Sequence, residues 1–99
     1  MRNPLNIERD RLVEFCRRNH IRRLCLFGSV LSDRFRPDSD VDMLVEFEEG
    51  VAVTLLDMAR MERELTHLVG RQVDMRTPKE LSRYFRDKVL ATAEVQYAG

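Results

Sequence analysis

Residues 24–47 constrain the fold of this chain more than any other stretch. Two apolar runs occur there, and between them lie Gly28-Ser29, ten further residues and Asp40-Val41-Asp42. The first run is short and stops at a glycine, which is typical of a strand that turns tightly into a helix. The second run follows the aspartates and predicts another strand. The stretch therefore predicts strand, turn, short helix, loop and strand.

This stretch also carries groups that can bind a nucleotide. Asp40 and Asp42 are two positions apart in the second predicted strand, so their carboxylates project to one side, roughly 6.5 Å apart along the strand. Two like charges this close repel unless a cation lies between them. Gly28 lets the backbone approach a ligand closely, and a helix that begins at Ser29 points free N–H groups at an anion. Together the aspartate pair and the glycine–serine turn indicate a Mg²⁺–nucleotide site. A Gly-Ser or an Asp-x-Asp alone is common by chance.

Composition bounds the class of protein. The chain has 99 residues, of which 43% are hydrophobic and 34% charged, so we expect one domain over residues 1–99. No apolar run approaches the ~20 residues that span a membrane. Residues 1–10 lack the apolar core of a signal peptide, which predicts a cytoplasmic protein. Cys16 and Cys25 are expected to be core residues in a reducing compartment.

The charges are unevenly distributed although the formal net charge is zero. Residues 37–50 contain six acids and no base, and this block includes both aspartates. The balance is not that of a nucleic-acid-binding protein, so nucleic acid is not expected as a direct partner. Nine arginines precede the acidic block. They could hold phosphates or a partner, or form a solvated face.

The hydrophobic pattern predicts an α/β (α+β) fold with about three strands in a small sheet flanked by helices. We expect helices over about 5–19, 28–35 and 55–69, the last capped by Thr54 and Gly70. We expect strands over 22–27, 40–47 and 71–77, a helical stretch after Pro78 and an extended tail over 95–97. The third helix is predicted to bury one stripe, which consists of Leu55, Met58, Met61, Leu65 and Leu68.

Asp74 is a candidate third carboxylate. It lies in the third predicted strand, on the face opposite to the apolar side chains of Val73 and Met75. If strands two and three are neighbours, it converges with Asp40 and Asp42, but the sequence does not give the sheet order. Converging carboxylates suit Mg²⁺, and two such ions can clamp the attacking and leaving oxygens at phosphorus. Asp74 would hold the ion at the attacking hydroxyl or accept its proton. Alone, it would be taken for an exposed strand residue.

The spacing of Gly28-Ser29 and Asp40-Val41-Asp42 resembles the nucleotidyltransferase signature of the DNA polymerase beta superfamily. Nearly the whole chain is similar to the minimal nucleotidyltransferase (MNT) family of prokaryotes, through Leu-Phe-Gly-Ser, Arg-Pro-Asp-Ser-Asp-Val-Asp and Val-Gly-Arg-Gln-Val-Asp-Met-Arg-Thr-Pro. The resemblance implies a palm-like fold, a mixed sheet with three carboxylates on one face, and Mg²⁺ with ATP. It also implies an antitoxin that transfers AMP to a tyrosine hydroxyl of a HEPN-type ribonuclease toxin.

The family's functional positions carry over one by one. Gly28 and Ser29 correspond to the phosphate-binding pair, Asp40 and Asp42 to metal ligands, and Asp74 to the third carboxylate. The chain departs from the family after the serine. Many members have Arg there, often in Arg-Ala-Arg-Gly, whereas this chain has Val-Leu-Ser-Asp over 30–33. The departure predicts weaker triphosphate binding, for which Arg34 or Arg36 could compensate.

Two other functions remain open at this point. The domain could block a toxin sterically with little turnover, or it could modify a small molecule such as an aminoglycoside. The carboxylates favour an enzyme, because a steric binder has no need for clustered charges that cost stability. Ninety-nine residues also leave little chain for a separate acceptor domain, so a protein partner is the expected acceptor.

Overall fold

A computed structural model describes residues 7–28 and 40–99 of the chain. Its elements, in chain order, are α1 (Arg9–Arg18), β1 (Ile21–Phe27), β2 (Val41–Phe47), α2 (Leu55–Val69), β3 (Val73–Arg76), a 3₁₀ turn (Pro78–Glu80), α3 (Arg83–Thr92) and β4 (Glu94–Ala98). Several predictions fall outside the described residues: the start of the first helix before Ile7, most of the helix over 28–35, the loop over 36–39, and Ser29. In the described part of the chain, no helix is long and apolar enough to cross a membrane.

The strands form one mixed sheet in the order β3-β2-β1-β4. β1 is antiparallel to both β2 and β4, whereas β2 and β3 are parallel. The predicted α/β class is confirmed, but the sheet formed by the described residues has four strands, whereas about three were predicted. The fourth is the segment predicted only as an extended tail. Its strand character comes from backbone pairing with β1, which is a tertiary contact that a short segment does not reveal by itself.

The two faces of the sheet are covered differently. One face lies under α1 and α2 and forms the larger core, whose strand residues include Leu24, Leu26, Val41, Met43, Val45, Val73 and Met75. On the other face, Cys25, Phe27 and Leu44 pack against Val89 of α3. The side chains of β2 alternate between the two faces, and Val41, Met43 and Val45 are all fully buried in the larger core.

Helix α2 has the predicted ends. The Thr54 hydroxyl accepts a hydrogen bond from the Asp57 backbone N–H at 3.1 Å, and the Asp57 carboxylate accepts one from the Thr54 N–H at 3.0 Å. This capping box satisfies two donors that the helix itself cannot pair. Gly70 closes the helix in the left-handed conformation, with φ of 79°.

The buried stripe of α2 is shorter than predicted. Met61 and Leu65 are buried and Met58 and Leu68 partly so, but Leu55 is 89% exposed. The prediction for Leu55 is wrong because a 3.6-residue period fixes which face is apolar. It does not fix how far along the helix the sheet extends.

Two helices differ from their predicted bounds. α1 begins at Arg9, with Glu8 in extended backbone before it. The stretch after Pro78 is a short turn and a separate helix, because Leu81 and Ser82 are extended and the Ser82 hydroxyl caps α3. The Arg86 guanidinium ties the two together by donating hydrogen bonds to the carbonyls of Pro78 and Leu81 at 2.6 and 3.1 Å.

Both cysteines are buried free thiols, as predicted. Burial raises the pKa of the Cys16 thiol to about 12, although the Arg9 charge acts in the opposite direction. A thiol with so high a pKa is almost entirely protonated at neutral pH and is therefore unreactive. Both residues serve packing in the described structure.

Candidate active site

Two of the predicted carboxylates lie side by side on the sheet. Asp42 is the second residue of β2 and Asp74 the second of β3, and the parallel register pairs them directly. Neighbouring strands are about 5 Å apart, so the two side chains emerge next to each other on the same face. The adjacency of strands two and three, which the sequence left open, is thereby established.

Asp40 lies at the rim of this pair. It directly precedes β2 and is exposed. The next residue, Val41, donates its backbone N–H to the carbonyl of Gln72 at 2.8 Å, which aligns the starts of β2 and β3. That hydrogen bond keeps the segment carrying Asp40 at the same end of the sheet as Asp74.

The electrostatics of Asp42 reflect its crowded position. Partial burial, followed by the charges of Asp74 and Asp40, raises the pKa of the Asp42 carboxyl above its usual value, while Arg76 opposes the rise. Each of the first three effects disfavours the charged form. A cation bound among these carboxylates would remove the repulsion, so the ionised site favours occupation by a positive charge.

Arg76 supplies part of that positive charge. Its guanidinium donates a hydrogen bond to Asp74 Oδ2 at 3.0 Å, and both side chains are partly exposed. The two residues are separated by one position in β3, so they lie on the same face. No motif in the sequence assigns a role to Arg76, although its two-residue spacing from Asp74 is a usable signal.

Gly28, which directly follows β1, approaches the same site. Its backbone has φ of +79°, and a Cβ added there would lie 2.5 Å from Asp42 Oδ2. The glycine is therefore required both by its left-handed conformation and by the close approach of the Asp42 carboxylate. Sequence reasoning assigned it only to phosphate approach. Ser29, its predicted partner, lies outside the described residues.

The strand that carries Asp74 is held at its outer edge by side chains of α2. Among the strands that the structure describes, β3 is the last on its side of the sheet, and an edge strand has backbone groups that no strand pairs. Thr66 Oγ1 accepts a hydrogen bond from the Val73 N–H at 3.1 Å, and Glu62 Oε2 accepts one from the Met75 N–H at 2.8 Å. The helix thus fixes the backbone on both sides of Asp74, which no local sequence pattern indicates.

The donor chemistry at this site fits a hard divalent cation. Carboxylate oxygens are the ligands that Mg²⁺ prefers, and Mg²⁺ commonly takes only one or two of them and completes its shell with water and phosphate. Within residues 7–28 and 40–99, no group of three or more His, Cys, Asp or Glu side chains is close enough to hold a metal ion. The structure thus brings Asp42 and Asp74 together and leaves Asp40 at the rim. The assignment of all three as ligands stays a prediction.

Comparison with known proteins identifies relatives of this chain. The family model of the nucleotidyltransferase domain matches residues 9–95. A protein of Methanocaldococcus jannaschii, provisionally assigned as a protein adenylyltransferase, is 30% identical over 89 residues, which cover 90% of this chain and 94% of the relative. The match therefore extends over nearly the whole of both proteins.

Solved structures share the fold. One described provisionally as a minimal nucleotidyltransferase is 40% identical, with a TM-score of 0.70 over 88% of this chain and 85% of that one. A toxin–antitoxin complex with AMP-PNP has a TM-score of 0.74 at 16% identity, covering 94% of this chain and 75% of that one. A complex of a tri-AMPylated Shewanella oneidensis HEPN toxin with its MNT antitoxin has a TM-score of 0.65 at 16% identity, covering 92% and 70%. At such identities the two complexes establish the fold alone.

Proposed function

This chain belongs to the nucleotidyltransferase domain family, and on that premise we propose that it is an antitoxin that transfers AMP from ATP to a tyrosine hydroxyl of a HEPN-type toxin. The observation that carries the proposal is the pairing of Asp42 with Asp74, one strand away from Gly28. Two ionised carboxylates beside a glycine turn suit a nucleotide whose charge is balanced by Mg²⁺.

The reaction is an in-line displacement at the α-phosphorus of ATP. The tyrosine oxygen forms a bond to that phosphorus, the bond to the bridging oxygen of the β-phosphate breaks, and pyrophosphate leaves. The tyrosine proton passes to Asp74 or to solvent. Asp40 and Asp42 would hold Mg²⁺ with Asp74, and the ion would neutralise charge that develops on the phosphoryl oxygens. Gly28 and Ser29 would hold the outer phosphates.

The relatives support the protein acceptor. The Methanocaldococcus jannaschii protein is named for protein adenylylation, and the Shewanella oneidensis complex contains an AMPylated HEPN toxin with an MNT antitoxin. AMP-PNP, an ATP analogue, is present in the other toxin–antitoxin complex. A cytoplasmic location fits a reaction that consumes ATP, and it fits two free thiols.

The test is transfer of label. The protein, Mg²⁺ and ATP labelled at the α-phosphate are incubated with the product of the adjacent reading frame as the candidate partner, and the Asp42→Asn variant serves as the control. We expect label on a tyrosine of the partner with the wild type and little or none with the variant. A tight complex without label would contradict the enzymatic proposal and favour steric neutralisation. Label on a small acceptor and not on the protein would favour the aminoglycoside type of reaction.

A further inference from the structure

The chain contains two tyrosines, and they differ sharply in exposure. Tyr97 of β4 is 8% exposed and lies in the larger core, opposite Leu24 of β1. Tyr84 of α3 is 88% exposed. The acceptor of the proposed reaction is a tyrosine hydroxyl. Of the two groups of that class in this chain, Tyr84 is therefore the one that another protein molecule can reach without unfolding the sheet.

Helix α3 holds Tyr84 in a defined position. The Ser82 hydroxyl accepts a hydrogen bond from the Phe85 backbone N–H at 3.4 Å and so caps the first turn, in which Tyr84 lies. The Arg86 guanidinium ties the same turn to the preceding segment through two backbone carbonyls. The phenol is therefore presented by a capped and anchored helix.

Tyr84 faces away from the sheet that carries the carboxylates of its own copy. α3 packs on the sheet through Val89, which lies five positions further along the helix. At 3.6 residues per turn, five positions correspond to a rotation of about 140°. The Tyr84 hydroxyl thus lies on the outer side of α3, directed away from the face that bears Asp42 and Asp74. This orientation suits transfer from a second copy of the protein rather than from its own site.

The charges around Tyr84 complement those of the candidate active site. Residues 78–92 contain four bases and two acids, and three of the bases are exposed, namely Lys79, Arg83 and Lys88. The candidate active site carries three carboxylates, and bound Mg-ATP adds further negative charge. Complementary surface potentials speed the encounter of two proteins and favour one relative orientation. The first turn of α3 in one copy is therefore attracted to the carboxylate site of another.

We propose that Tyr84 is a site of self-adenylylation, at which one copy of the protein receives AMP from ATP bound to another copy. The inference rests on the proposed function, because it uses the same carboxylates and nucleotide and adds this chain as a second acceptor. The Tyr84 oxygen forms a bond to the α-phosphorus, the bond from that phosphorus to the bridging oxygen of the β-phosphate breaks, and pyrophosphate leaves. The phenol proton passes to Asp74 of the transferring copy or to solvent.

The experiment incubates the protein alone with Mg²⁺ and ATP labelled at the α-phosphate, and peptide mapping by mass spectrometry locates the label. The test variant is Tyr84→Phe and the matched control is Tyr97→Phe, since each removes one phenol oxygen. Thermal melting checks that both variants retain the fold. We expect label on Tyr84 in the wild type and in Tyr97→Phe, and none in Tyr84→Phe.

A mixture of two variants tests transfer between copies. Asp42→Asn lacks a proposed metal ligand but keeps the acceptor Tyr84, whereas Tyr84→Phe keeps the carboxylates and lacks the acceptor. Labelling of the candidate toxin partner checks first that Tyr84→Phe transfers AMP. Neither variant should be labelled alone, and Asp42→Asn should become labelled in the mixture. The fraction of wild type labelled per unit time should also rise in proportion to protein concentration, because the step is bimolecular.

Four results would overturn the inference. Label on the candidate partner and none on Tyr84 would do so while leaving the proposed function intact. Label retained by Tyr84→Phe would place the acceptor elsewhere in the chain. Label on the wild type but not on Asp42→Asn in the mixture would show transfer within one copy. Absence of label from both the candidate partner and Tyr84 would contradict the proposed function itself, and the inference with it.

Discussion

At the scale of single residues, Gly28 and Asp42 depend on each other. A side chain at position 28 meets two separate penalties, a left-handed backbone and a Cβ 2.5 Å from Asp42 Oδ2. Gly28→Ala should therefore lower the free energy of unfolding by about 1–3 kcal/mol, as strained positions do. In an Asp42→Ala background, only the backbone penalty remains, so the same substitution should cost less. Urea unfolding of the four proteins measures this, and equal costs in both backgrounds would refute the contact.

Arg76 also acts through a single contact, because its guanidinium pairs with one carboxylate of the site, that of Asp74. Its guanidinium pairs with Asp74 Oδ2, an oxygen that a bound cation would also contact. Removing it by Arg76→Ala should tighten binding of Mn²⁺ alone by roughly two- to fivefold, since exposed ion pairs contribute up to about 1 kcal/mol.

A matched control for that substitution is Arg60→Ala. Arg60 pairs with Asp57 at 3.6 Å, with similar exposure of both partners, and it lies on α2 rather than on the carboxylate face. Arg60→Ala removes the same unit charge but does not touch Asp74. It should therefore leave Mn²⁺ affinity unchanged. Electron paramagnetic resonance of free Mn²⁺ gives both affinities. Equal affinities for wild type and Arg76→Ala would show that Arg76 does not compete with a cation.

At the scale of elements, α2 determines where β3 lies. Glu62 accepts the Met75 N–H at the outer edge of the sheet, where no strand within residues 7–28 and 40–99 pairs with β3. Glu62→Ala leaves that donor unpaired in a partly buried position and should cost about 1–3 kcal/mol of stability. Glu64→Ala, on the same helix, breaks only an exposed ion pair with Arg18 and should cost at most about 1 kcal/mol. Chemical denaturation compares the two, and equal losses would remove Glu62 from its structural role.

The capping box of α2 predicts a pH dependence. Hydrogen bonds from the backbone and side chain of Thr54 lower the pKa of the Asp57 carboxyl. A lowered pKa in the folded state means that the stabilisation is present above the ordinary Asp value of about 3.9. It is lost as the pH falls through the lowered pKa. The stability difference between wild type and Asp57→Ala should therefore be full at pH 7 and shrink below pH 4, and a constant difference would contradict the cap.

The helices and strands differ in how far the sequence predicts them. The bounds and caps of α2 are local, since Thr54, Asp57 and Gly70 act on neighbouring backbone, and these predictions hold. The strand character of β4 and the exposure of Leu55 depend on which surfaces meet in three dimensions. Periodicity carries no information about such contacts, so the sequence predicts β4 only as an extended tail and wrongly predicts Leu55 to be buried.

At the scale of the whole molecule, the sheet order makes the candidate site. Asp42 and Asp74 are far apart in the chain and become neighbours only because β2 and β3 pair in parallel. The sequence predicts the carboxylates and shows that they converge only if the second and third strands are neighbours. The fold supplies that pairing. Support of β3 by Glu62 belongs to the fold alone, whereas the contact of Arg76 with Asp74 follows from their two-residue spacing in one strand.

The central claim is that this carboxylate pair performs transfer and does not merely permit docking. Asp74 is proposed to act at the attacking hydroxyl, which is an effect expressed mainly in the transition state. Asp74→Asn should therefore retain the fold, most of the ATP affinity and the complex with the toxin. Transfer of labelled AMP to the toxin, measured by single-turnover kinetics on the preformed complex, should fall by roughly 10²–10⁴-fold. Transfer at the wild-type rate from an intact Asp74→Asn complex would contradict the claim.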